Sequence, residues 1–480
     1  MHPSTRTSLA LATLLSLSLA ALPLTGCGSS GGTGITPTPT PTPPSTNVLI
    51  NMGDTPSDSV LECAITISAM SLTNATGTTV TVPISSPMTM ELAHLAGTVA
   101  PLIMPSIAQG TYNSMSLTLS SATLSYMTSG TPTQQVFASP MTITIPLTTP
   151  LTVGSNAMVV NLDLNLAASI GSASGGGLTF TPTFKPSIQM ASGAATATPE
   201  EGGMMQIVGS VSTTSGSTFT MGTLQGSSMT FASASGTQFM GMNGQTLSGM
   251  GNMTSSQILT VNATLQTNGT WMANSVTAMM GSGGAMPIGI ITATTGNPVT
   301  GITMFANNGT GSGMMASYLA SGLTITMGSG MAYGIDNAGI SLTGMPSTLL
   351  FDANHLAKGQ NTATAGISGM TPGSGMGMMG GSGFMNMGGI NANGIELEPQ
   401  GLTGTVANMT SSGFTLNLAS GSAFSLLTGA TSVTVYQVPS TQMNSLTLTN
   451  GMSIEVNGFL FCNSGAYSFV ATQMSAPPTP

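Results

Sequence analysis

The chain has 480 residues with twelve acidic and three basic side chains, so that 3% of it is charged, against about a quarter in ordinary soluble domains. Three cations cannot build the clustered Lys/Arg surface that displaces counterions from nucleic acid, and ionisable groups for acid–base catalysis are scarce. An apolar fraction of 40% excludes charge-rich disorder, and the length suits roughly three domains of ~150 residues.

Residues 1–26 read as an export signal. Arg6 supplies the positive start, and residues 9–22 form a Leu/Ala-rich run too short to span ~30 Å of hydrocarbon comfortably. Leu24-Thr25-Gly26-Cys27 follows and resembles the bacterial lipobox. That resemblance implies cleavage before Cys27 and lipidation of its sulfur and amino group, with palmitate among the chains. Several chains anchor far more firmly than one. Gly28 stands where the enterobacterial sorting rule places an Asp for inner-membrane retention, so the outer membrane is the expected address. No later segment offers ~18 uninterrupted apolar residues, and no transmembrane helix is expected.

Residues 27–46 then form a tether. Its first part is Gly/Ser-rich and flexible; residues 36–44 alternate Thr and Pro, which favours extended polyproline II.

Residues 47–195 are expected to fold as an antiparallel β-sandwich. Met115, Leu117 and Leu119 alternate with Ser and Thr, as do Met141, Ile143, Ile145 and Leu147, and Val160, Leu162, Leu164 and Leu166. Period two over such runs predicts half-buried strands. A short helix is expected over 90–95. The order of Asp54-Thr-Pro56 after a first strand, Gly110-Thr-Tyr112 before a central one, and Val159-Val-Asn-Leu162-Asp163-Leu164 near the end resembles the bacterial lipoprotein domain of unknown function 4382. The resemblance implies a β-sandwich and an export address, but no activity.

The remainder matches itself. Gly209-Ser-Val211, Gly289-Ile-Ile291 and Gly404-Thr-Val406 open three copies, over 203–280, 286–399 and 400–475. Trp271-Met-Ala273, Ile390-Asn-Ala392 and Tyr467-Ser-Phe469 lie in their closing strands. Each closing strand follows another that Gly359-Gln360 or Asn450-Gly451 introduces in the later copies. The pattern looks like the β-barrel module called domain of unknown function 5666. The fold class is therefore all-β: an N-terminal sandwich followed by about three OB-like barrels. The second copy carries a Gly/Met-rich loop over 369–389.

Several constellations in the sequence imitate sites. Gly375-Met-Gly377-Met-Met-Gly380 satisfies a dinucleotide fingerprint without the strand and helix it needs. Gly28-Ser-Ser30-Gly-Gly32 imitates a nucleophile elbow but lies in the tether. The methionines of 369–389 offer soft thioethers to Cu(I), or reflect a composition with 39 methionines. Asp54, Asp58, Glu62 and Asp163 offer oxygens to Ca²⁺, or Asp54 caps a turn. Trp271 is read as a strand-end core residue, with a sugar platform as the alternative. His94 and His355 are read as surface or structural, with no carboxylate pattern around them. Cys63 and Cys462 lie in the first and last modules; export permits a disulfide, which needs Cα atoms within ~7 Å.

These readings converge on a non-enzymatic, lipid-anchored envelope protein that binds, adheres or scaffolds through β-modules. Its partners are the membrane, through Cys27, and an envelope protein or glycan, without nucleic acid. Calcium or soft-metal binding is the alternative, and a surface glycan-acting enzyme a further one. Neither a cofactor nor a catalytic residue is expected.

Overall fold

The computed structural model describes residues 44–476, apart from 56–58, 85, 96–98, 129, 139, 174–176, 196, 199–200, 224–226, 242–245, 256, 283–287, 308–321, 336–340, 366–389 and 444–445. Cys27, Asp58 and the Gly/Met-rich loop therefore lie outside the described residues, as do the two glycine motifs at 28–32 and 375–380. No helix among the described residues is long and apolar enough to cross a membrane.

The first module contains β1 (Ser45–Thr55), β2 (Val60–Asn74), β3 (Thr79–Val82), β4 (Met88–Glu91), β5 (Val99–Ile103), β6 (Ser106–Ala108) and β7 (Gly110–Thr128). It continues with β8 (Thr131–Phe137), β9 (Met141–Val153), β10 (Met158–Asn165), the single-turn helix α1 (Leu166–Ser169), β11 (Ile170–Ser172), β12 (Leu178–Phe180) and β13 (Phe184–Met190). One sheet runs β13-β10-β1-β5, with β6 also on β1; the other runs β3-β2-β7-β8, with β4 on β2 and β9 on β7. The pairing is antiparallel except between β1 and β10, which run parallel from Val48–Met158 to Thr55–Asn165. The helix expected over 90–95 is instead the end of β4 and one 3₁₀ turn at Ala93–Leu95. Met88 and Met90 are buried on alternate positions, and the antiparallel pairing of Met88–Glu91 with Ala64–Ile67 of β2 outcompetes a helix there.

Alternation decides where each side chain goes. Val48, Ile50 and Met52 enter the sandwich core with Ile65, Leu117 and Leu124 of the opposite sheet. Leu49, between them, faces the other way and joins the core of the next module with Val159, Phe231 and Trp271. Both faces of β1 are thus covered.

Three barrels follow. The first comprises β14 (Gly203–Ser215), β15 (Thr218–Thr223), β16 (Ser228–Ala232), β17 (Gln238–Gly241), β18 (Gln257–Leu265) and β19 (Trp271–Ser282). The second comprises β20 (Ile288–Thr295), β21 (Gly301–Asn307), β22 (Leu323–Ile335), β23 (Asn361–Ala365) and β24 (Ile390–Leu397). The third comprises β25 (Gln400–Ala407), β26 (Gly413–Asn417), helix α2 (Ala423–Thr428), β27 (Ser432–Gln442), β28 (Ser453–Asn463) and β29 (Ala466–Ser475). The second and third close as β20-β21-β22-β24-β23 and β25-β26-β27-β29-β28. The first follows the same order through β14, β15, β16, β19 and β18, closed by the short parallel pairing of Phe231 with Trp271 and Ala232 with Met272; β17 adds to β19. In all three the third and last ring strands are parallel. This is the all-β architecture of a sandwich followed by OB-like barrels, and ring closure leaves few free sheet edges.

The opening glycines of the first and third barrels have a steric role. A Cβ on Gly209 would lie 2.3 Å from the Gly222 carbonyl oxygen, and one on Gly404 would lie 2.5 Å from that of Asn417. The first strand crosses its neighbour too closely there for any side chain.

The barrels pack against one another. Leu349 and Leu397 of the second share a core with Val438, Phe459 and Phe461 of the third. A buried amide seam joins the same pair. Gln360 donates from Nε2 to the Leu460 carbonyl (3.1 Å) and accepts from the Ala357 N–H (2.7 Å). Gln400 accepts from the Asn361 N–H (2.8 Å) and donates to the Gly359 carbonyl (2.9 Å). Each amide thus satisfies both ends in a buried interface, where an unpaired one costs about 1–3 kcal/mol. Gly359 lies at φ 88°, and a Cβ there would meet Phe424 at 2.5 Å. The Gly-Gln pair before β23 therefore serves the junction between barrels.

Candidate functional site

Of the acids singled out in the sequence, Asp54, Glu62 and Asp163 are described, on β1, β2 and β10 of the sandwich. Asp54 is not a turn cap. It sits inside β1, next to the Gly53–Asp163 pairing with β10, and is 4% exposed. Neither of its carboxylate oxygens has a hydrogen-bond partner. Burial, then the charges of Asp163, Glu91 and Glu455, push its carboxyl well above the usual range. Glu62 is fully buried and accepts from the Ser125 hydroxyl at 2.6 Å. Glu91 accepts from the Cys63 and Ala93 N–H groups at 2.7 and 3.1 Å. Asp163 pairs in register with Lys185. Among the described residues no three His, Cys, Asp or Glu side chains could hold a metal ion, so Asp54, Glu62 and Asp163 do not form such a group. A calcium ion held by those three side chains finds no cage here.

Cys63 and Cys462 are both buried free thiols. Burial, followed by the nearby Asp54, Glu91 and Glu62, pushes the Cys63 thiol well up, away from the thiolate that nucleophilic chemistry needs. His94 lies in the 3₁₀ turn after β4. His355 does have a carboxylate beside it: its Nδ1 lies 2.7 Å from Asp352 Oδ1, which also accepts from the Asn354 N–H at 2.8 Å. The sequence spacing hid this because the pair closes a loop turn rather than a helix face.

Trp271 opens β19 and is 2% exposed, its ring 6.2 Å from that of Phe231. It is a core residue, with no exposed ring face on which a sugar could stack. Its indole N–H is buried without an acceptor. This was not legible in the sequence, because the walls around it come from two modules.

Those walls form a cleft of about 580 Å³ between the sandwich and the first barrel. Leu49, Met88, Ile103, Met104, Met229 and Trp271 supply apolar surface. Ser86, Thr218, Ser227, Ser228, Thr230 and Thr270 supply hydroxyls. None of the described residues lining it is ionisable. Asn47 spans the junction, its Nδ2 donating to the Gly269 carbonyl at 3.4 Å, and the Ala157 N–H donates to the Thr267 carbonyl at 2.8 Å. The barrel side of the cleft is β16 and the loop between β18 and β19. In OB-like folds the loop between the fourth and fifth ring strands and the neighbouring barrel face are ligand-binding positions. A mixed apolar and hydroxyl cleft at a domain junction, of this size, is an ordinary setting for a small ligand.

Residues 45–182, the sandwich, match the model of the family described as Domain of unknown function (DUF4382). No curated protein is similar enough to the chain to count as a relative.

Proposed function

We propose that the protein is a non-catalytic lipoprotein of the bacterial envelope, held in the outer membrane by acyl chains, palmitate included, on Cys27. Residues 1–26 direct export, and residues 27–46 hold the folded modules away from the headgroups. The modules act by binding, adhesion or scaffolding. The observation that carries this reading is the lipobox-like Leu24-Thr25-Gly26-Cys27 behind an apolar run, ahead of a domain matching DUF4382. The three barrels, with their shared strand order and opening glycines, support a likeness to domain of unknown function 5666. The scarcity of ionisable groups supports a role without acid–base chemistry. Among the nucleophiles named above, the buried, proton-retaining Cys63 adds no candidate.

The test is metabolic labelling with an alkyne palmitate in a bacterium carrying the gene. The reading expects label on the wild type in the outer-membrane fraction, and none on Cys27→Ala. Equal label on both, or a wild type found in the medium, contradicts it.

A further inference from the structure

The four modules fall into two pairs. The sandwich and the first barrel share one core, in which Leu49 and Val159 lie with Phe231 and Trp271. The second and third barrels are joined by Leu397 against Phe459 and by the amide seam. Between the pairs the described apolar contact is small. Val208 and Ile258 meet Ala363 at one place, and Leu61 meets Phe305 and Ala423 at another. Little apolar area therefore holds one pair to the other.

Acids occupy a further place between the pairs. On β28, Ile454 and Val456 point into the third barrel, so Glu455 between them faces outward, yet it is only 5% exposed. Another module must cover it. The 3₁₀ turn Ala93–Leu95 of the sandwich packs against β1 and against β25, where Thr403 stands in register with Glu455. Glu91 accepts from the Ala93 N–H of that turn. Asp54, buried and with neither oxygen hydrogen-bonded, lies within reach of the charges of Asp163, Glu91 and Glu455. Both lysines described are exposed, Lys185 in register with Asp163 and Lys358 in the second barrel. Cys63 and Glu62 on β2 are the other titratable groups described nearby, and His94 belongs to the turn itself.

We propose that this corner is a pH-sensitive latch: with Asp54 protonated the two pairs of modules stay closed, and its ionisation in alkaline medium parts them. Parting removes Glu455 and admits water to the carboxylate, which relieves both causes of its discomfort. Closure is fully favoured below the ordinary value of 3.8, where open and closed states both hold the proton. It weakens as pH rises, because only the open, hydrated carboxyl then ionises, and the loss ends once the closed state also releases its proton. The latch goes beyond the envelope role proposed above and does not depend on the lipid.

The full chain carrying Cys27→Ser, which cannot be acylated, is followed by small-angle X-ray scattering and far-ultraviolet circular dichroism from about pH 5.5 to about pH 10. The expected result is a reversible growth in maximum dimension as pH rises, with the β signal unchanged. Asp54→Asn stays compact throughout, and Glu455→Gln moves the opening to higher pH. His94→Gln opens as the wild type does. Constant dimensions over the whole range, growth only together with loss of the β signal, or an Asp54→Asn variant that opens like the wild type overturns the proposal. So does a His94→Gln variant that no longer responds, since the histidine would then be the switch. Where Asp54→Asn does not fold, an opening unmoved by Glu455→Gln is the contradicting result. Because Cys27 is absent from this experiment, its failure leaves the lipoprotein reading to its own test.

Discussion

Gly209→Val destabilises the protein by ~3 kcal/mol, while Gly222→Val on the neighbouring strand changes its stability by less than ~0.5 kcal/mol or raises it. The two glycines lie on the facing strands β14 and β15, yet their surroundings differ. A Cβ on Gly209 falls 2.3 Å from the Gly222 carbonyl oxygen and 3.0 Å from its carbonyl carbon. Those are backbone atoms, held by the sheet ladder, and they cannot move aside as a flexible side chain would. A Cβ on Gly222 meets nothing within 4 Å, and its φ lies outside the left-handed region. A β-branched residue there replaces a flexible glycine in a strand and fits the pleat. Gly404→Val repeats the first experiment in the third barrel, where the Asn417 carbonyl oxygen stands 2.5 Å from the added Cβ. Urea unfolding of the variants decides the matter. Equal losses at positions 209 and 222 would show that the repeat glycine is kept for something other than close strand crossing.

Asp54→Asn raises the unfolding midpoint at neutral and alkaline pH, and this gain vanishes in acid. The cause is a carboxyl buried on β1 with both oxygens unpartnered, among the charges of Asp163 on β10, Glu91 on β4 and Glu455 on β28. In the unfolded chain it ionises near its ordinary value of 3.8; in the fold it holds its proton well above that. Below about 3.8 both states are protonated and the two proteins have the same stability difference at every pH. As pH rises past that value only the unfolded state gains by ionising, so the wild type loses stability until the folded carboxyl also gives up its proton. An asparagine has nothing to ionise. Thermal unfolding between pH 3 and 9 should therefore give curves that part as pH rises. Parallel curves would mean that Asp54 is ionised and satisfied in the folded protein.

The all-β class was legible because period-two patterning is local. Met115, Leu117 and Leu119 are all fully buried on β7, as the alternation requires. The strand of the Val160–Leu166 run ends one residue short of its alternation, at Asn165. Leu166 starts α1, where Asn165 accepts from the Ala168 N–H at 2.9 Å, and the alternating apolar pattern masked the capping residue. The parallel partnership of β1 with β10 left no trace, since residues more than a hundred positions apart meet there. Asp54 was misread for a related reason. Asp-x-Pro signals a turn locally, but the pairing with β10 carries β1 on through Thr55. The cleft was beyond sequence reasoning, because it exists only where the outer face of one module meets β16 of the next. Trp271 alone gave a signal, as the single tryptophan of a chain poor in aromatics.

The account as a whole turns on one sulfur atom. Mass spectrometry of the N-terminal peptide from the membrane-extracted native protein addresses it directly. The account predicts a chain that begins at Cys27 and carries fatty acyl groups on its thioether-linked glycerol and its amino group. A native protein that retains residues 1–26, or begins elsewhere with an unmodified Cys27 thiol, would contradict it.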